Sequence, residues 1–70
     1  MGRSVAHFSS LKAWRTARNL NQRQAAELFG ITQGAYAKIE LGRNVPRTTL
    51  LRKIHHATGV PLEVLTRIAA

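Results

Sequence analysis

The chain contains no cysteine, which excludes a disulfide framework and any thiolate metal site. It has no apolar run near the roughly 18 residues that span a bilayer. Its first residues carry no signal-peptide-like apolar stretch, so a cytoplasmic protein is expected. Acids are scarce: three, against eleven lysines and arginines, for a net charge of +8. That imbalance points to an anionic partner. No segment sets a strong apolar face against a lysine-rich one, so a membrane is not the anion expected. Nor is there a cysteine nucleophile, a pair of carboxylates, a glycine-rich phosphate loop or a plausible Ser-His-acid set. An enzyme is therefore not expected, and no cofactor is implied. His55 and His56 are adjacent, but on a helix they point about 100° apart. With no third ligand in view, a metal site is not expected either.

What the chain does have is helical punctuation. At about 100° per residue, residues 21 to 41 resolve into two short helices meeting at Gly30. Asn21 and Gln24 form the pattern of a capping box, which starts the first of the two at about Gln22–Phe29. Thr32 reads as the N-cap of the second, at about Gln33–Leu41. Gly30 occupies the position after a helix end where positive φ is favoured. Ala25, Ala26 and Phe29 point inward from the first helix. Ala35, Tyr36 and Ile39 form the packing face of the second, leaving Gln33, Gly34, Ala37, Lys38 and Leu41 on a low-relief outer face. Two helices joined by so short a turn are a helix-turn-helix.

The flanking chain continues in the same style. Residues 1–8 show no periodicity and read as a flexible arm, in which Arg3 could reach a phosphate. A helix capped by Ser9 or Ser10 runs to about Asn19, with Leu11, Trp14 and Ala17 or Arg18 on one face. Trp14 is expected in the core. Gly42 to Pro46 is a loop by composition. A fourth helix from Arg47 or Thr48 to Thr58 turns Leu51, Ile54 and Thr58 inward and leaves Leu50 outward. Pro61 opens a fifth, whose stripe is Leu62, Leu65 and Ile68. The predicted fold is all-α, five short helices around one small core over residues 9–70.

The run Leu20-Asn21-Gln22, Ala25-Ala26, Phe29-Gly30-Ile31-Thr32-Gln33, Tyr36, Ile39-Glu40-Leu41-Gly42 resembles the Cro/repressor-type (XRE-like) helix-turn-helix family of bacterial and phage DNA-binding domains. Leu11, Arg15, Pro46, Leu51, Ile54, Gly59, Val60, Leu62 and Leu65 extend the resemblance over roughly residues 9 to 67. The family departs from this chain at Ala25, Leu28, Thr48, His55 and Thr58, which leaves the packing of the fourth helix open. The resemblance implies a compact domain of the phage-repressor type, with a partly buried salt bridge between Arg15 and Glu40.

A helix that reads the major groove needs short or polar side chains against base edges. Gln33 can bond bidentately to adenine, and Lys38 can reach guanine or a phosphate. Gly34 and Ala37 keep the backbone close to the groove, and the Ala37 methyl suits a thymine methyl. By resemblance the base-contact positions are Thr32, Gln33, Gly34, Ala37 and Lys38, although Thr32 also reads as a plain cap and Lys38 as a solvated charge. The resemblance makes Gln22 a phosphate contact that braces Gln33, and places Arg43 and Asn44 in a second phosphate clamp. Arg23 and Arg47 are further phosphate candidates, each readable as a simple surface charge.

The expected function is sequence-specific recognition of double-stranded DNA by a transcriptional repressor. A homodimer on a pseudo-palindrome, with half-sites about one helical turn apart, is the expected assembly. The fifth helix, Ile68-Ala69-Ala70 and Leu50 would supply the dimer contacts. Two rivals remain at this point. One is the antitoxin of a toxin–antitoxin pair, docking its toxin through Leu28, Leu41 or Leu50. The other is nonspecific nucleic-acid packaging.

Overall fold

A computed structural model of the chain describes residues 8–67. Five helices follow one another: α1 (Leu11–Ala17), α2 (Gln22–Phe29), α3 (Gln33–Glu40), α4 (Thr48–Thr58) and α5 (Leu62–Leu65). The described residues contain no strand. Leu11, Trp14, Ala25, Ala26, Phe29, Tyr36, Ile39, Ile54, Val60 and Leu65 form a single buried cluster drawn from every helix. Three of its rings run in series, Trp14 to Phe29 at 5.5 Å and Phe29 to Tyr36 at 6.3 Å between centroids. Tilted and offset rings at such separations add attraction beyond the area they bury.

Local chemistry starts and stops each of the first three helices. The Ser10 hydroxyl accepts from the Ala13 N–H at 3.1 Å and opens α1. Both halves of the Asn21–Gln24 capping box are formed, at 2.7 and 2.9 Å. Thr32 caps α3 by accepting from the Ala35 N–H at 3.1 Å. Gly30, at φ 70°, ends α2, and the Ile31 N–H returns to the Ala26 carbonyl. This wrap satisfies two orphan carbonyls while reversing the chain.

Four expectations need correction. The first helix stops at Ala17, short of Asn19. Asn19 itself turns left-handed at φ 58°, so that its N–H and that of Leu20 bond back to Thr16 and Arg15. Asparagine tolerates that conformation better than other side chains with a Cβ. The apolar face of α1 is thus Leu11 and Trp14, and both Ala17 and Arg18 are exposed. Leu50 is not outward: it is half-buried against the core, in a groove it shares with Phe29 and Ile31 of the α2–α3 corner. Leu62 does not join the stripe on α5 either. A helix of one turn presents no extended stripe; Val64 and Leu65 pack inward, and Leu62 stays 43% exposed. Phe8, assigned to the arm, packs against the core. Arg3 and the rest of residues 1–7, with Ile68, Ala69 and Ala70, lie outside the described residues.

The unusual residues of α4 fasten its exit. The Thr58 hydroxyl donates to the Ile54 carbonyl at 2.7 Å and accepts from the Val60 N–H at 3.1 Å. His55 Nδ1 meets the Val60 carbonyl at 2.7 Å, which makes Nδ1 the protonated nitrogen when the ring is neutral. Thr58 and His55 are therefore satisfied polar groups, and Val60 between them is fully buried in the core.

Candidate nucleic-acid interface

α2 and α3 share the most extensive helix–helix contact among the described residues. Tyr36 and Ile39 are buried on the inward side of α3. Outward, Gln33, Gly34 and Lys38 are exposed, Thr32 is exposed at the cap, and Ala37 is half-buried at the edge of the face. Thr32 is engaged as a cap through its lone pair, which leaves its hydroxyl hydrogen free to donate.

A polar knot anchors this helix from behind. Arg15 on α1 grips Glu40 at the end of α3 with two parallel bonds, Nε to Oε2 at 2.9 Å and Nη2 to Oε1 at 3.1 Å. The remaining guanidinium nitrogen, Nη1, donates to the Leu20 carbonyl at 3.0 Å. The side chains are 13% and 6% exposed, so the pair is largely withdrawn from water. Burial alone would raise the Glu40 carboxyl, but the hydrogen bonds from Arg15 and then Gln22 outweigh it and hold Glu40 below its ordinary value. Arg15 is raised, chiefly by the hydrogen bond to Glu40. Burial, then the adjacent carboxylate, pushes the Tyr36 hydroxyl up. Among the described residues that hydroxyl and the Trp14 indole nitrogen are the buried side-chain groups without a well-aligned partner.

Gln22 is drawn into the same knot. Its amide donates to Glu40 Oε1 at 3.1 Å. One amide hydrogen and the carbonyl oxygen remain for other contacts. No sequence spacing signals this bond, because eighteen residues separate its ends.

The remaining phosphate candidates lie on α2, in the loop after α3 and at the start of α4. Arg43 and Asn44 are exposed, and their backbone N–H groups both return to the Lys38 carbonyl, at 2.8 and 3.3 Å. The loop is thereby tied to the helix it follows. Arg23 is exposed and lies 3.9 Å from the equally exposed Glu27, a pairing too solvated to hold it. Arg47 precedes α4 with no side-chain cap bond. With Lys53 it edges an open groove of about 400 Å³ floored by Phe29, Ile31 and Leu50. Of the three acids, Glu40 is committed to the knot and Glu27 faces Arg23, while Glu63 stands on α5. His55 and His56 have ring centroids 5.6 Å apart, inclined at 56°.

A family profile described as helix-turn-helix matches residues 11–65, which takes in α1 through α5. The chain belongs to the XRE-type helix-turn-helix family. It is also 33% identical over 57 residues to an uncharacterised HTH-type transcriptional regulator derived from the SPbeta prophage of Bacillus subtilis (strain 168). That alignment takes in 81% of this chain and 53% of the relative, so the chain spans about half the length of the curated relative it matches. No solved structure gives a significant match. In this family setting α2 and α3 are the two helices of the motif. No helix of the described residues is long and apolar enough to cross a membrane.

Proposed function

We propose that the chain is the DNA-binding domain of a transcriptional repressor that recognises a pseudo-palindromic operator as a homodimer. The observation that carries this reading is the two-sidedness of α3. One side is buried against α2 and locked by Arg15–Glu40, and the other offers Gln33, Gly34 and Lys38 to solvent. Ala37 and Thr32 complete the face. Gln33 is suited to adenine and Lys38 to guanine. Gln22, Arg43 and Asn44 flank α3 as phosphate contacts that set register, with Arg23 and Arg47 outside them. A net charge of +8 supplies the sequence-independent attraction. The name of the prophage relative, an HTH-type transcriptional regulator, supports the same reading.

The test is selection from a randomised duplex pool, followed by affinity for the winner and for scrambled duplex at two salt concentrations. An inverted repeat bound about 10³-fold above scrambled DNA is expected. A pool without consensus, whose binding vanishes with salt, would leave phosphate attraction alone and defeat the proposal. One observation favours a second reading, that of an antitoxin: Leu28 and Leu41 are 57% and 60% exposed, an apolar surface that suits a protein partner. A stable complex with a neighbouring gene product, formed without DNA, would select it.

A further inference from the structure

Gly34 has no role in the fold. It is absent from the positive-φ glycines, so the backbone there is one that any residue adopts. A Cβ built at this position meets nothing within 4 Å, so neither neighbour nor packing requires its absence. Glycine inside a helix is moreover unfavourable compared with alanine. Both folding reasons for a glycine are missing, and a folding reason against it is present.

Its place on α3 supplies a reason from outside the chain. At about 100° per residue, Gly34 falls near the middle of the outward arc, with Ala37 roughly 60° to one side and Lys38 roughly 40° to the other. Gln33 and Ala37 succeed one another on the same side, one turn apart. The centre of the face is thus a hollow, bounded by a long amide, a long cation and a methyl. Nothing lining the hollow from the side chains of Gly34 or Ala37 can donate or accept a hydrogen bond.

That chemistry selects what lies opposite. Of the groups that base pairs present in the major groove, all but one are donors or acceptors, the exception being the C5 methyl of thymine. A donor or acceptor pressed onto the floor of the hollow, at Gly34 and the Ala37 methyl, loses its water without replacement there. A methyl loses nothing and gains contact. We infer that Gly34 is a specificity-determining residue whose missing side chain makes room for a thymine methyl, with Ala37 as its neighbour. This rests on the proposed reading of α3 as the helix in the major groove.

The experiment uses the operator recovered by selection with the unaltered chain; if no operator emerges, the reading of α3 fails before this inference is reached. Gly34→Ala and Gly34→Ser are then titrated against that operator, against scrambled duplex, and against operators in which each thymine in turn is replaced by uracil. Gly34→Ala is expected to raise the melting temperature by a few degrees while weakening operator binding about tenfold. Scrambled duplex and the salt slope should stay unchanged. At one thymine per half-site, uracil should weaken the unaltered chain and restore most of the affinity of Gly34→Ala, because removing the methyl vacates the space the new Cβ occupies. Gly34→Ser should show the same rescue at the same position. Equal operator affinity for Gly34→Ala and the unaltered chain would overturn the inference. So would a loss that no single uracil relieves, or one shared equally by scrambled DNA.

Discussion

Replacing Arg15 by alanine would leave Glu40 side-chain oxygens facing a 6% exposed site with only the Gln22 amide as a hydrogen-bond donor. Three bonds disappear, two to the carboxylate and one to the Leu20 carbonyl. Stranding one member of a buried pair costs about 3 kcal/mol or somewhat more. For a domain of this size that corresponds to a fall in melting temperature of about 12–24 °C, which would remove most of the stability expected for so small a core. Thermal unfolding followed by circular dichroism reads it directly. The pH dependence supplies a second, independent arm. Because the folded carboxyl lies below its ordinary value of 4.5, the stabilisation is present above that value and disappears as pH falls through the folded one. In Arg15→Ala the burial that raises the carboxyl is no longer outweighed by Arg15, so protonation relieves the variant instead. The stability gap between the two proteins should therefore narrow on acidification. A drop of less than about 5 °C, or a gap independent of pH, would refute the assignment of Arg15–Glu40 as the tie between α1 and α3.

Asn21→Ala removes the oxygen that accepts from the Gln24 N–H and should cost about 1 kcal/mol, seen as a shift in the urea midpoint without a change in slope. Tyr36→Phe deletes a buried hydroxyl that lacks a well-aligned partner, so its melting temperature should be equal or higher; a loss beyond about 1 kcal/mol would mean the hydroxyl is hydrogen-bonded after all. On the proposed function, Arg43→Ala should weaken binding alike for operator and scrambled duplex and reduce the salt slope by about 1, as measured by titration across a salt series.

The parts legible in the sequence were those whose causes lie within four residues. The capping box at Asn21–Gln24, the cap at Thr32 and the turn at Gly30 are each written in a fixed short spacing and each is found formed. The end of α1 escaped because its left-handed residue is Asn19, where a glycine would have announced the turn. Leu50 was misread for a different reason. Its helix face alone assigns it to solvent, and only the corner of Phe29 and Ile31 passing beside it gives it cover. The Arg15–Glu40 pairing came from family likeness, since nothing local connects residues twenty-five apart. Even the likeness did not supply the tie from Gln22 to that carboxylate.

The Lys38 carbonyl, which receives the N–H groups of both Arg43 and Asn44, has a mechanical consequence. The reading side of α3 and the backbone of the loop beyond it cannot change their separation without breaking those bonds. For a duplex bound as proposed, they act as the jaws of a fixed calliper, one set on the bases and the other on a strand's sugar-phosphate edge. A duplex whose dimensions do not match cannot be accommodated by a shift of the loop, so the nucleic acid itself must deform. Base pairs that the protein never touches then influence affinity through how readily they bend or twist.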